Sequence, residues 1–256
     1  MARKNVRVIT KSNAEKVLLD EFSKLCSSRS SWQVWTDFIV ATACVIANSV
    51  DREGEDFERR EKEYAACIER LGGVENGAKL FACVVEALEE KPEQDFLGNM
   101  FMNLNLGSHW KGQFFTPYCV CRTMAAITAD GVTSEIDKRG WASISDPACG
   151  AGATLIAMAN YLREVNVDYQ NHALFVAQDI DRVAGLMCYI QLSLLGCAGY
   201  VTIADSLLNP QTGKGALFPQ VKEGQEIWYT PMFCSDVWQM RRKWNLMDMF
   251  FAGLGA

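Results

Sequence analysis

Three short apolar segments that each end in an aspartate constrain this chain most. WASISD closes at Asp146 and is followed by PACGAGATLIAMANYLREV. ALFVAQD closes at Asp179 and is followed by RVAGLMCYIQLSLLG, and YVTIAD closes at Asp205. Strand, turn and helix alternating in this way predict βαβ units and a parallel sheet. Right-handed crossovers then bring the three strand C-termini to one edge, where open α/β sheets bind their ligands. Asp146, Asp179 and Asp205 are therefore expected to converge on one crevice. A buried carboxylate is costly unless something uses it, so three at successive strand ends point to a ligand.

The first turn carries the most chemistry. It reads Asp146, Pro147, Ala148, Cys149, Gly150, Ala151, Gly152, Ala153, Thr154. Gly150 and Gly152 permit a tight bend and leave no Cβ between backbone and ligand. A helix opening at about Ala153 aims free N–H groups at that ligand. No Lys-Ser/Thr follows the glycines, which excludes a P-loop, and Leu155 occupies the third glycine position of a dinucleotide fingerprint. Asp179, ending the next strand, is placed to grip ribose hydroxyls.

Ahead of these units, residues 12–104 read as four or five helices. Val17, Leu18, Phe22 and Leu25 recur at helical spacing behind a capping Ser12. The stretch 31–49 is nearly all apolar after Trp35 and belongs in the middle of a bundle. Tyr64, Cys67, Ile68 and Leu71 form a stripe that Gly72 and Gly73 end, and Leu80, Phe81, Val84, Val85 and Leu88 form another before Pro92. The reading is thus a helical N-terminal domain, 1–108, followed by an α/β domain, 109–256.

Composition narrows the function. A net charge of −6 argues against gripping nucleic acid by bulk charge alone. Two histidines, His109 and His172, leave little for a His-rich metal site or a His-based triad. The ten cysteines sit mostly inside apolar runs, with no Cys-x-x-Cys pair, as expected of small buried hydrophobes in a reducing compartment. No metal site is expected. The basic N-terminus lacks an apolar signal core, and no run is expected to reach the ~20 apolar residues of a membrane span. The chain is expected to be cytoplasmic, with no membrane partner.

KGQFFTP at 111–117, followed by DPACGAGATL and AQDIDRVAGLMCYIQLSLLG, resembles the modification subunit of Type I restriction-modification systems, adenine-N6 DNA methyltransferases. The resemblance covers about residues 90–233. It implies a Rossmann-like class I methyltransferase sheet behind a helical N-terminal domain, S-adenosylmethionine as cofactor, and DNA as partner with help from a specificity subunit. It implies that Gln113, Phe115, Thr116 and Pro117 touch the methionine end of the cofactor. Asp146, Ala148, Gly150 and Gly152 would wrap it. Asp179 would hold the ribose hydroxyls and Ile180 the adenine ring, while Asp205, Ser206 and Leu207 would face the adenine amine.

The departures matter equally. Such enzymes carry Asn/Asp-Pro-Pro-Tyr/Phe after the fourth strand, to receive the amine of a flipped adenine and stack on its ring. This chain has no such tetrapeptide; Asn209-Pro210 reads as a turn. The positional match is Thr230-Pro231-Met232-Phe233, giving Thr230, Pro231 and Phe233 as catalytic candidates. A hydroxyl lacks the planar acceptor geometry of an amide or carboxylate, and Met232 lacks the fixed φ of proline. The sheet is expected to be truncated after about four strands. Three functions follow: a reduced DNA adenine methyltransferase; a degenerate cofactor-binding regulatory or decoy subunit, homo-oligomeric or within a modification complex; and a small-molecule or protein methyltransferase, which the Phe-Thr-Pro segment disfavours.

Overall fold

A computed structural model describes residues 12–54, 56–106, 115–213 and 215–254. Helix α1 (Asn13–Leu25) starts where the Ser12 hydroxyl accepts from the Glu15 N–H at 3.1 Å. Helix α2 (Ser31–Val50) is capped in the same way by Ser30. Helix α3 (Phe57–Leu71) stops at Gly72, whose φ of +85° is the left-handed conformation glycine takes at a helix end. Helices α4 (Val74–Glu90) and α5 (Phe96–Asn103) complete five helices in this part. Their core centres on Trp35, edge-on to Phe22, Phe38 and Phe101 with ring centroids 5.9–6.3 Å apart.

One expectation is corrected here. Among the described residues, α2 is a helix long and apolar enough by length and composition to cross a membrane. It is nevertheless buried over 67% of its most apolar window by protein. Its one acid, Asp37, is buried and takes Arg70 Nη2 at 2.7 Å. A helix apolar on most sides is what the middle of a bundle requires.

Helix α6 (Tyr118–Arg139) follows, an element the sequence patterns did not announce. Strand β1 (Ala142–Asp146) leads into α7 (Ala153–Glu164), the short α8 (Tyr169–His172), β2 (Ala173–Asp179), α9 (Arg182–Leu194) and β3 (Ala198–Ile203). The three strands are adjacent and parallel in the order β1-β2-β3, with Asp146 opposite Ala177 and Asp179 opposite Ile203. The predicted alternation is therefore present, and the strand C-termini share one edge. A two-stranded ribbon, β4 (Thr212–Gly213) with β5 (Pro219–Gln220), precedes β6 (Glu226–Tyr229). The chain ends its described part with a 3-10 turn, Pro231–Cys234, and α10 (Asp236–Leu254).

Strand β6 pairs with β3 antiparallel, Tyr200 opposite Tyr229. Among its described residues, the segment between them holds turns and the small ribbon and no helix. A parallel return needs a crossover, usually a helix; without one the chain folds back alongside its own strand. The sheet is mixed α/β architecture with four strands, mostly parallel.

Alternate residues of β2 face opposite sides. Phe175 and Ala177 join a core that runs on through α7 and α9 into the helices of the first part; Leu174 joins Tyr200, Leu217, Phe233 and Trp238 on the other side. Helix α9 is the hinge of this arrangement. Its Gln191 is buried, accepts the Leu97 N–H at 3.1 Å, and donates to Asp95 and to the Ala151 carbonyl at 2.8 and 2.9 Å. Arg182, at its start, holds Glu63 of α3 and Glu226 of β6, both at 2.8 Å.

Candidate functional site

The site is built at the C-terminal ends of β1 and β2. After Asp146 the chain bends through Gly150 at φ +54° and Gly152 at φ +95° before α7 begins. Both bends need glycine for space as well as conformation. A Cβ at Gly150 would lie 2.9 Å from the Phe115 ring, and one at Gly152 2.8 Å from the Cys188 sulfur. Phe115 is itself seated against Phe101, with centroids 5.4 Å apart. The turn is thus pinned between α9 below and the Phe115 segment above.

The two strand-end acids fix this turn. Asp179 accepts the Gly150 N–H on Oδ2 and the Asp181 N–H on Oδ1, each at 2.8 Å. Asp146 accepts the Ala148 N–H at 3.1 Å and the Thr154 hydroxyl. Each carboxylate oxygen offers two lone-pair directions, so acceptor capacity remains after these bonds. Burial pushes the Asp179 carboxyl above its ordinary pKa; the Asp181 and Gly150 N–H groups pull the other way.

These groups enclose a cavity of about 180 Å³ lined by Phe115, Thr116, Asp146, Ala148, Gly150, Asp179, Cys149, Ala151, Ala153, Thr154, Ala184 and Asp95. Asp95 was not foreseen. It caps α5, where a capping role accounts for an aspartate. It is also buried and pushed up in pKa by that burial, against the opposing bonds from Gln191 and Gly98. The sequence signal for it is that of a capping acid after Pro92-Glu93-Gln94, directly ahead of the apolar Phe96-Leu97. Among the described residues the lining contains three carboxylates and no Lys, Arg or His.

The remaining predicted residues lie differently. Pro117 follows Thr116 as the N-cap of α6, and Gly152 lies beneath the turn. Asp205 sits one residue past Ala204, whose N–H donates to the Asp179 carbonyl at 3.0 Å; its own carboxylate caps Leu207 and Leu208 N–H at 2.8 and 3.0 Å. Ile180 and Leu207 are exposed, at 68% and 89%, and Ser206 is half-buried. None of these four lines the cavity. Gln113 and His109 lie outside the described residues.

The catalytic candidates are not brought to this crevice. Because β6 is antiparallel, its end lies beside the start of β3, at the sheet edge opposite Asp146 and Asp179. Thr230 is fully buried there. Its hydroxyl donates to the Cys197 carbonyl at 2.7 Å and accepts the Gly199 N–H at 3.0 Å. Pro231 opens the 3-10 turn, and Phe233 stacks on Tyr229 with centroids 5.3 Å apart and carries the Arg242 guanidinium over its ring at 4.2 Å. The expectation that Thr230, Pro231 and Phe233 form a loop beside the cofactor turn is corrected accordingly.

Comparison with known families finds a match over residues 95–249 to the family model described as N-6 DNA Methylase. No curated protein and no solved structure matches the chain.

Proposed function

Since this chain belongs to the N-6 DNA methylase family, we propose that its crevice binds S-adenosylmethionine on a Rossmann-like class I sheet, in the service of adenine-N6 methylation of DNA. One observation carries the cofactor assignment: three carboxylates and no basic side chain, among the described residues, surround a glycine turn at a helix N-terminus. A phosphate-bearing nucleotide is repelled by that lining, whereas a sulfonium nucleoside with hydroxyls and an ammonium group is received by it. When bound, the cofactor supplies an electrophilic methyl group.

The chain's own residues do the rest. Asp179, oriented by the Gly150 and Asp181 N–H groups, accepts the ribose hydroxyls with its remaining lone pairs. Asp146 and Ala148 frame the bend, and the free N–H groups at the start of α7 receive the cofactor's carboxylate. Phe115 and Thr116, with Pro117 behind them, cover the methionine end and exclude water. The adenine then extends out of the cavity along the exposed Ile180, with Asp205, Ser206 and Leu207 on the side of its amine. DNA, a specificity subunit and a cytoplasmic setting belong to the same reading.

A second reading is favoured by Thr230. Its hydroxyl is spent on the β3 backbone, and it lies at the sheet edge opposite the turn. A cofactor-binding subunit that regulates or mimics a modification enzyme accounts for that placement. Two measurements separate these readings. Calorimetry is expected to show S-adenosylmethionine binding to the wild type and none to Asp179→Ala; tight binding by the variant overturns the cofactor assignment. Mass spectrometry of mixed-sequence DNA incubated with protein and cofactor then decides between them. N6-methyladenine supports the enzyme, and intact binding without it supports the regulatory subunit.

A further inference from the structure

The geometry points to α10 as a parallel two-stranded coiled-coil seam through which two copies of this chain associate. Its first turns are anchored to the body. Trp238 is buried and donates from Nε1 to the Gln170 carbonyl at 2.8 Å, and Arg242 donates to the Phe233 carbonyl at 3.0 Å. The opposite face carries Val237, Met240, Trp244 and Met247, exposed at 40, 53, 58 and 47%. Their spacing of three, four and three residues is the alternation of a and d positions in a heptad. Beyond Arg242, Lys243, Trp244, Leu246, Met247 and Asp248 are all exposed. A continuous apolar stripe of this kind marks an association surface.

The flanking charges select the partner. With Val237 at an a position, Asp236 and Lys243 fall at g, and Arg241 and Asp248 at e. In a parallel pair each g residue meets the e residue five places on in the other helix. Asp236 then faces Arg241 and Lys243 faces Asp248, so every such pair joins opposite signs. None of these four has an ion pair within the chain among the described residues. Arg241 lies half-buried against Trp238, 5.3 Å from its ring, and donates from Nη2 to the Asn171 carbonyl at 2.9 Å, so the exposed Lys243 and Asp248 carry the selection.

Sedimentation equilibrium of the whole chain over roughly 1–100 µM tests this. The wild type is expected to dimerise reversibly. Trp244→Glu is expected to be monomeric and to melt at the temperature of the dilute, monomeric wild type, since its side chain touches solvent. Lys243→Glu places like charges together twice per dimer and is expected to weaken association about tenfold. Lys243→Glu with Asp248→Lys is expected to restore it. A wild type that stays monomeric throughout, as when another segment or another protein covers the seam, overturns the proposal. So does a dimer indifferent to Trp244→Glu, a higher oligomer, or a double variant that fails to recover.

Discussion

A single carboxyl shows how burial is converted into pH dependence. Asp95 takes the Gly98 N–H and the Gln191 amide, both at 2.8 Å and both on Oδ1. Burial dominates over these two bonds and raises its pKa. In the unfolded chain the group releases its proton near pH 4. The native group holds its proton to higher pH, so above about pH 4 the folded state binds more protons and stability falls as pH rises. Asn at this position keeps an oxygen for the two donors and removes the titration. Thermal melts of Asp95→Asn are expected to fall less steeply than those of the wild type from about pH 4 to 7. Coincident slopes contradict a carboxyl whose pKa its surroundings raise. The same sign applies to Asp179, raised by the same cause; ribose hydroxyls favour its ionised form, so cofactor binding strengthens as pH rises through that raised pKa.

At the scale of elements, α2 is the clearest case of a helix that local pattern identifies and tertiary pairing completes. Its Asp37 is acceptable in the core because Arg70 of α3 reaches it with Nε at 2.9 Å and Nη2 at 2.7 Å. Arg70→Ala leaves a buried carboxylate with Gln33 Nε2 at 3.1 Å and the Cys67 thiol but no cation. A loss of about 2–3 kcal/mol in urea unfolding is expected, less than for a fully buried pair because Arg70 is half-exposed. Asp37→Leu together with Arg70→Ala is expected to recover much of it, and a single variant as stable as the wild type refutes the pairing argument. The helices with wide apolar faces and the three parallel strands were legible because period and termini coincide there, although β3 ends at Ile203, short of Asp205. Helix α6 was not legible. Its buried positions are Cys121, Ala125 and Ala129, small residues four apart, while Val120, Met124 and Ile127 face solvent, so no amphipathic stripe marks it. Nor was the direction of β6 legible, since EIWY pairs equally well either way and only the helix-free connection from β3 decides it. Among site residues, the glycine turn and its acids announced themselves by spacing. Asp95 did not, because its role depends on α9 arriving from far along the chain.

At the scale of the molecule, the helical part and the sheet are held by one core and one charge cluster. The larger core runs without a break from Leu18 and Trp35 through Leu97 to Ile156, Leu186 and Trp228. The family match begins at Asp95, so α5 goes with the sheet in ancestry as it does in packing, through Gln191. On the outside, Arg182 joins α3, α9 and β6 by bonds to Glu63 and Glu226, and Arg59 adds a contact to Glu226 at 3.2 Å. Burial raises the Glu226 carboxyl, but Arg182 and Arg59 outweigh it and leave its pKa below the ordinary value. That contribution to stability is therefore present above about pH 4.5 and is lost as pH falls through the lowered pKa. Elements that share a core cannot separate without exposing it, so unfolding at neutral pH is expected to be one cooperative step. Far-ultraviolet circular dichroism follows all the helices, whereas fluorescence of the seven tryptophans pools bundle residues such as Trp35 with sheet residues such as Trp228. The two urea curves are expected to coincide in the wild type, and separated midpoints would show that the bundle and the sheet fold independently. Arg182→Ala is expected to lower the shared midpoint without splitting it, because the charge cluster only reinforces a union that the apolar contacts of α2 and α5 with α9 already make.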